Sequence, residues 1–230
     1  MIGRGVIGIC SLLLMGALSW AALSLPAKPP GLAKASLDRL GESGVAHPVT
    51  AVLLNYRGYD TLLEVGVLLL ALAGAWSLGR GEQPAENPQS RPLLLSLLRV
   101  LLPMLLLAAG HLLWIGAFAP GGAFQGGALL GGALVLLILG GLARRALKRE
   151  RCLRAGLALG VLVFAGIAAV TMALTGGLLQ YPPGAGGALI LVIETAAMVS
   201  IGLALGLLYL GGQPPEGARR SLLATPPDHA

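Results

Sequence analysis

Phe118-Ala-Pro-Gly-Gly-Ala-Phe-Gln-Gly-Gly127 decides the fold, because it is an uncharged turn between two long apolar runs. Pro120 fixes its own φ, while Gly121 and Gly122 permit the positive φ that tight turns use. Gly126 and Gly127 then open the next apolar run, followed by Gly131 and Gly132. On a helix, Gly127 and Gly131 share a face, which lets another backbone approach closely. The stretch predicts a hairpin between two membrane helices, the second packed hard against a neighbour.

Outward from the hairpin, apolar runs of about 20 residues recur, the length that crosses roughly 30 Å of hydrocarbon. The 230-residue chain is 56% hydrophobic and 11% charged, with a mean hydropathy of +0.82. A soluble domain needs more polar surface than this. The expected fold is all-α, a polytopic membrane protein with about six transmembrane helices. The first five are predicted over Val6–Leu25, Leu62–Leu78, Leu93–Phe118, a run ending near Ala143, and Ala155–Thr175; the sixth ends near Leu210. The first is expected to be retained, since Leu25-Pro26-Ala27-Lys28 makes a poor signal-peptide cleavage site. Pro103 predicts a kink in the third. Val49–Leu54 is too short to span, and Asp60 with Thr61 reads as the N-cap of the second helix. A short interfacial helix is expected near Leu37–Leu40. Tyr181-Pro-Pro-Gly-Ala-Gly-Gly187 reads as a second hairpin.

Charge sets the expected topology. The segment Arg144–Arg154 holds six of the sixteen Lys and Arg residues. With that loop in the cytoplasm, twelve of the sixteen fall inside and both termini are cytoplasmic, as the positive-inside rule expects. The two hairpins then face outward. The pI near 9.9 follows from these loops, so no nucleic-acid partner is expected. Cys10 and Cys152 fit no metal or disulfide spacing. Neither a hydrolase triad nor a phosphate-cradling loop is present, so no catalytic residue, metal or cofactor is expected.

Ionisable side chains inside membrane helices are costly, at about 2.5–3.5 kcal/mol or more at mid-bilayer, and mark ion paths. Glu64 sits about one turn into the second helix, Glu194 somewhat deeper in the sixth, and His111 in the third, all from the outer side. These three are the candidates for a proton or cation relay. Thr171 lies at similar depth in the fifth helix. The opposing reading is that each merely bonds a neighbouring helix or subunit.

Two stretches resemble a known family. Pro120-Gly-Gly-Ala-Phe-Gln-Gly-Gly127 resembles the Gly-His-x-x-Pro-Gly-Gly-Gly-Phe-x-Gly-Gly signature of the B subunit (MnhB/MrpB type) of multisubunit Na+/H+ antiporters. The hairpin residues Pro120, Gly121, Gly122, Phe124, Gln125, Gly126 and Gly127 carry that match. Val49 to Glu64 resembles a second segment, roughly Val-Thr-x-Ile-Leu-x-Asp-Tyr-Arg-x-x-Asp-Thr-Leu-Gly-Glu. That segment belongs to the C-terminal module of the large A subunit, or to a separate small subunit in related membrane-bound hydrogenases. Asn55, Arg57, Asp60 and Thr61 carry this match at the helix entrance. The sequence departs from the family at Ala117, where the histidine falls, and at Asn55, Leu63 and Ala123. His111, about a turn and a half from Ala117, only partly substitutes for the missing imidazole.

The resemblance implies a fusion of two modules: a two-helix module over 1–80, a cytoplasmic linker over 81–91, a four-helix MnhB-like domain over 92–211, and a cytoplasmic tail over 212–230. It implies a non-catalytic, multi-pass subunit of a Na+/H+ antiporter complex in the bacterial plasma membrane, lining or buttressing an ion path. Other antiporter-type membrane subunits would be its partners, membrane lipid its surroundings, and Na+ and H+ the ions moved. The alternative is a structural subunit of a hydrogenase-type or other respiratory ion-pumping complex.

Overall fold

In the computed structural model of the chain, residues 2–25, 32–77, 91–143, 147 and 149–211 are described. The loop over 78–90, the tail from 212 and parts of the basic segment (144–146 and 148) lie outside the described residues. The chain forms two compact units, Met1–Asp38 and Arg39–Ala230.

The first unit holds α1 (Ile2–Leu23) and the short α2 (Leu32–Asp38). After Arg4, α1 is uncharged on every face, which suits apolar surroundings on every side. The short helix stands slightly earlier than Leu37–Leu40, and a 3-10 turn covers Leu40–Glu42.

The second unit holds α3 (Pro48–Ala51), α4 (Gly58–Ser77), α5 (Arg91–Ile115), α6 (Ala123–Leu139), α7 (Glu150–Thr175) and α8 (Gly186–Tyr209). Among the described residues, α4, α5, α7 and α8 are long and apolar enough to cross a membrane; Gly8–Leu23 and Ala123–Leu139 are shorter apolar helices. The expected all-helical membrane fold is therefore present. The centre is α8: 56% of its spanning window is buried, against 11–28% for the other three. Helices α4, α6 and α7 pack on α8, and α5 packs on α6.

Three apolar layers follow one another along α8. Ile190 and Ile193 pack with Leu54, Phe164 and Leu179. Next come Ala197, Met198 and Ile201 with Val65 and Ala123. Ala204 and Leu207 meet Leu72 and Leu157 at the far end. In a membrane, apolar burial does not drive such contacts; close packing does, and small residues permit it. A Cβ built on Gly127 would lie 2.8 Å from Ile201 Cγ2, and one on Gly131 would lie 2.9 Å from Leu205 Cβ. The glycine face predicted for α6 is thus the face that meets α8.

Several boundaries differ from expectation. The second helix starts at Gly58, so Asp60 lies in its first turn and Thr61 is no cap. Instead Thr61 Oγ1 donates back to Leu53 O at 2.7 Å. The reason is that Val49–Tyr56 is already helical, ending in a wide turn over Val52–Tyr56, and Arg57 N–H closes it on Val52 O. The fourth helix ends at Leu139 rather than near Ala143: Gly141 takes φ +71°, and Leu142 N–H bonds back to Leu137 O, a left-handed glycine stop. The fifth begins at Glu150, where Glu150 pairs with Arg154. Helix α5 continues through Pro103.

Candidate functional site

The loop Ser43–His47 brings both glycine-rich hairpins to one end of the bundle. Ala46 and His47 N–H groups both donate to Ala117 O, at 2.9 and 3.0 Å. Gly44, at φ +81°, abuts Gly186 and Gly187 so closely that any Cβ there would meet their backbone at 2.8–2.9 Å. The motif residues of the Val49–Glu64 stretch tie this junction down. Thr50 Oγ1 donates to Gly116 O at 2.5 Å, and Asn55 Nδ2 to Ser43 O at 3.2 Å. Tyr56 Oη donates to Arg39 O at 2.7 Å. From the second hairpin, Tyr181 Oη reaches Leu54 O at 2.7 Å. Arg57 and Asp60 form an exposed ion pair at 2.5 Å, a geometry worth little stability.

Burial raises the Tyr181 hydroxyl well above the ordinary tyrosine range. Burial also raises Tyr56, with Glu42 adding to the shift and Arg39 opposing it. Thr171 is occupied as well: its buried hydroxyl donates to Ala168 O and accepts from Leu179 N–H at 3.1 Å. That bond helps hold Leu179 at φ +55°, a strained setting for a residue with a branched side chain. Its side chain in return fills the space beside Gly58.

Between these parts lies a cavity of about 630 Å3. Ala46 of the loop, Trp114 at the end of α5, Ala117 and Phe118 leading into the first hairpin, and Gly187 and Leu191 of α8 line it. Glu194 lines it too, although only 5% exposed. Gly122, at φ +104° and ψ −167°, turns the chain so that α6 starts against this acid. The Ala123 N–H donates to Glu194 Oε1 over a long 3.4 Å. A side chain at Gly122 would collide with the same oxygen. The hairpin motif therefore does two things: Gly121 and Gly122 bring an N-terminal helix end onto the carboxyl, and Gly126, Gly127 and Gly131 hold that helix against α8. Phe124 packs into the middle apolar layer, and Gln125 is exposed.

The other relay candidates stand elsewhere. Glu64 is exposed on α4, whose buried positions are Gly58, Thr61, Val65 and Leu72. His111 is exposed on α5. Among the described residues no group of three or more His, Cys, Asp or Glu side chains gathers in a way that would hold a metal. The chain alone thus does not assemble Glu64, His111 and Glu194 into one cluster. Sequence reasoning missed His47 and Gly44, whose places depend on contacts with residues far along the chain.

Residues 93–211 match the family described as the domain related to the MnhB subunit of Na+/H+ antiporter. No curated protein matches the chain. A chain of the membrane-bound sulfane sulfur reductase, an archaeal respiratory membrane complex, superposes with a TM-score of 0.65 at 25% identity, covering 92% of this chain and 98% of that one. A chain of the Mrp complex from Dietzia sp. DQ12-45-1b superposes with a TM-score of 0.64 at 21% identity; 92% of this chain corresponds to 26% of that one. Both likenesses extend well beyond residues 93–211, into the N-terminal half. Because the family match spans more than half of the 230 residues, the chain belongs to the MnhB-related family of Na+/H+ antiporter subunit domains.

Proposed function

We propose that this protein is a non-catalytic, multi-pass membrane subunit of an ion-translocating complex, and that Glu194 is the residue through which it handles the ion. Membership of the MnhB-related family supports the subunit role. The carrying observation is Glu194 itself, a buried acid that faces an apolar cavity and touches the α6 N-terminus. Apolar walls penalise a bare charge, while a helix N-terminus favours an anion. A carboxyl group between the two suits the exchange of H+ or Na+. The partners are other antiporter-type membrane subunits, and the setting is the bacterial plasma membrane. In the assembled complex, Glu194→Gln is expected to depress Na+-coupled proton movement in inverted vesicles by on the order of 10²-fold, with subunit yields unchanged. Wild-type transport in that variant would remove Glu194 from the path.

A second reading places the chain in a respiratory ion-pumping complex. The observation favouring it is size: the chain corresponds to nearly all of one subunit of the archaeal reductase complex, but to about a quarter of the Mrp chain. Identifying what co-purifies in mild detergent separates the readings. Antiporter subunits alone favour the first; redox subunits in the same particle favour the second.

A further inference from the structure

Glu64 stands at mid-membrane on the outside of the bundle. Its chain neighbour Val65 is buried in the middle apolar layer, with Ala197, Met198 and Ile201 of α8. Ala197 lies at the midpoint of α8, Gly186–Tyr209. At 1.5 Å per residue that is about 17 Å from either end of the helix. The acid is therefore deeper than its place early in α4 suggests, because Leu54, ahead of that helix, already packs on Ile190 and Ile193. The Glu64 side chain is exposed. By the helical period it shares one face of α4 with Val67, Ala71 and Gly74, and these three are exposed as well. A Cβ built on Gly74 meets nothing within 4 Å. Among the described residues the ion pairs are Arg57 with Asp60 and Arg154 with Glu150. Arg57 is thus already engaged, and Glu64 belongs to neither pair. Nor is Glu64 part of the lining of the Glu194 cavity. Helix α1 is uncharged after Arg4, so it carries no cation at mid-depth.

We infer that this face of α4 is a docking surface for a spanning helix of another subunit, and that the docked helix presents a lysine or arginine to Glu64. The inference rests on the subunit reading given above. Lipid tails offer an acid neither a hydrogen-bond donor nor a counter-charge. Ionisable side chains within spans face protein or a water-filled cavity, and they pair there. A carboxylate on the outside of the bundle calls for a cation from the molecule that covers it. The shape of the face agrees: Ala71 and Gly74, on the same side as Glu64, leave room for a second helix to come close. A second copy of this chain does not fit. A two-fold axis along the membrane normal would set Glu64 against Glu64 at one depth, where like charges repel.

The test uses the full complex in its membrane. A photo-cross-linking amino acid replaces Val67, which is 60% exposed. It is expected to capture another membrane subunit, and mass spectrometry is expected to find a lysine or arginine in the captured peptide. Glu64→Lys should cut that capture at least about tenfold. Changing the captured basic residue to glutamate in the same background should restore it. A control for folding is Glu64→Leu in the chain purified alone, which should melt at or above wild type because the acid is removed from apolar surroundings. Capture of lipid alone, or of a second copy of this chain, would overturn the inference. So would capture undiminished in Glu64→Lys, an exchange of charges that restores nothing, or a lowered melting temperature in Glu64→Leu. If other membrane subunits co-purify but none is captured from position 67, the inference about α4 alone fails. If no membrane subunit co-purifies, the subunit reading fails with it.

Discussion

Gly122→Ala perturbs the site at one atom, and two separable costs follow. The backbone at φ +104° and ψ −167° lies in a region that is essentially restricted to glycine, so strain contributes about 1–3 kcal/mol. The new methyl also collides with Glu194 Oε1, and overpacking of this kind contributes about 1–3 kcal/mol more. The expected loss is about 2–6 kcal/mol. Gly141→Ala is the control, because Gly141 also has positive φ, +71°, yet a Cβ there meets nothing within 4 Å. It should lose only the backbone part, about 1–2 kcal/mol. Thermal unfolding of the purified protein in detergent reads both. The collision is isolated by a double-mutant cycle: Glu194→Ala in the Gly122→Ala background removes the obstructing carboxylate and should recover about 1–3 kcal/mol. The argument is refuted if the two glycine variants melt together, or if Glu194→Ala gives no recovery.

Two further predictions concern the scaffold. Gly127→Ala and Gly132→Ala both gain about 1 kcal/mol of helix propensity, but only the first puts a methyl 2.8–2.9 Å from Ile201; overpacking of about 1–3 kcal/mol should make Gly127→Ala the less stable in detergent melts, while Gly132→Ala melts at or above wild type. Tyr181 is raised by burial above its ordinary value of 10.0, so above that pH the unfolded chain ionises first and stability that is complete below it is lost as pH rises. Tyr181→Phe, which forfeits the bond to Leu54 O and about 1 kcal/mol at neutral pH, should therefore show a flatter decline in melting temperature under alkaline conditions; parallel declines would sink this account.

The hairpin and the packing of α6 on α8 were legible because the information is local. Gly127 and Gly131 are one turn apart, and the helical period alone puts them on one face. The start of α4 was misread for the same reason: Asp60-Thr61 has the composition of a cap, but the preceding residues were already helical, so the Thr61 hydroxyl turned back to Leu53. Glu194 was legible by residue type and position within an apolar run. Its cavity was not, since the walls come from three separate segments. His47 gave no local signal at all. Its place depends on Ala117 and Gly116, about seventy residues further on, and a lone histidine before a proline reads as an ordinary loop residue. His111 attracted the sequence argument by its depth in a helix, yet α5 turns it outward.

The two motifs divide the work between them. Thr50, Asn55, Tyr56 and Thr61 each direct a donor at a backbone carbonyl. Thus the polar character of the Val49–Glu64 stretch is largely consumed in tying it to the first hairpin, to the segment Arg39–Ser43 and to its own backbone. A group so committed has little capacity left for a moving ion. The hairpin motif contributes almost no side-chain polarity; its glycines allow a helix end to approach Glu194. With those donors satisfied and the acid approached by backbone alone, Glu194 is left as the ionisable side chain in the cavity lining. The positions that depart from the family pattern, Asn55 and Ala117, both take part in this junction. Asn55 still donates to Ser43 O, and Ala117 offers its carbonyl to the Ala46 and His47 N–H groups. One serves it through a side-chain amide and the other through a backbone carbonyl, so neither needs an ionisable side chain there.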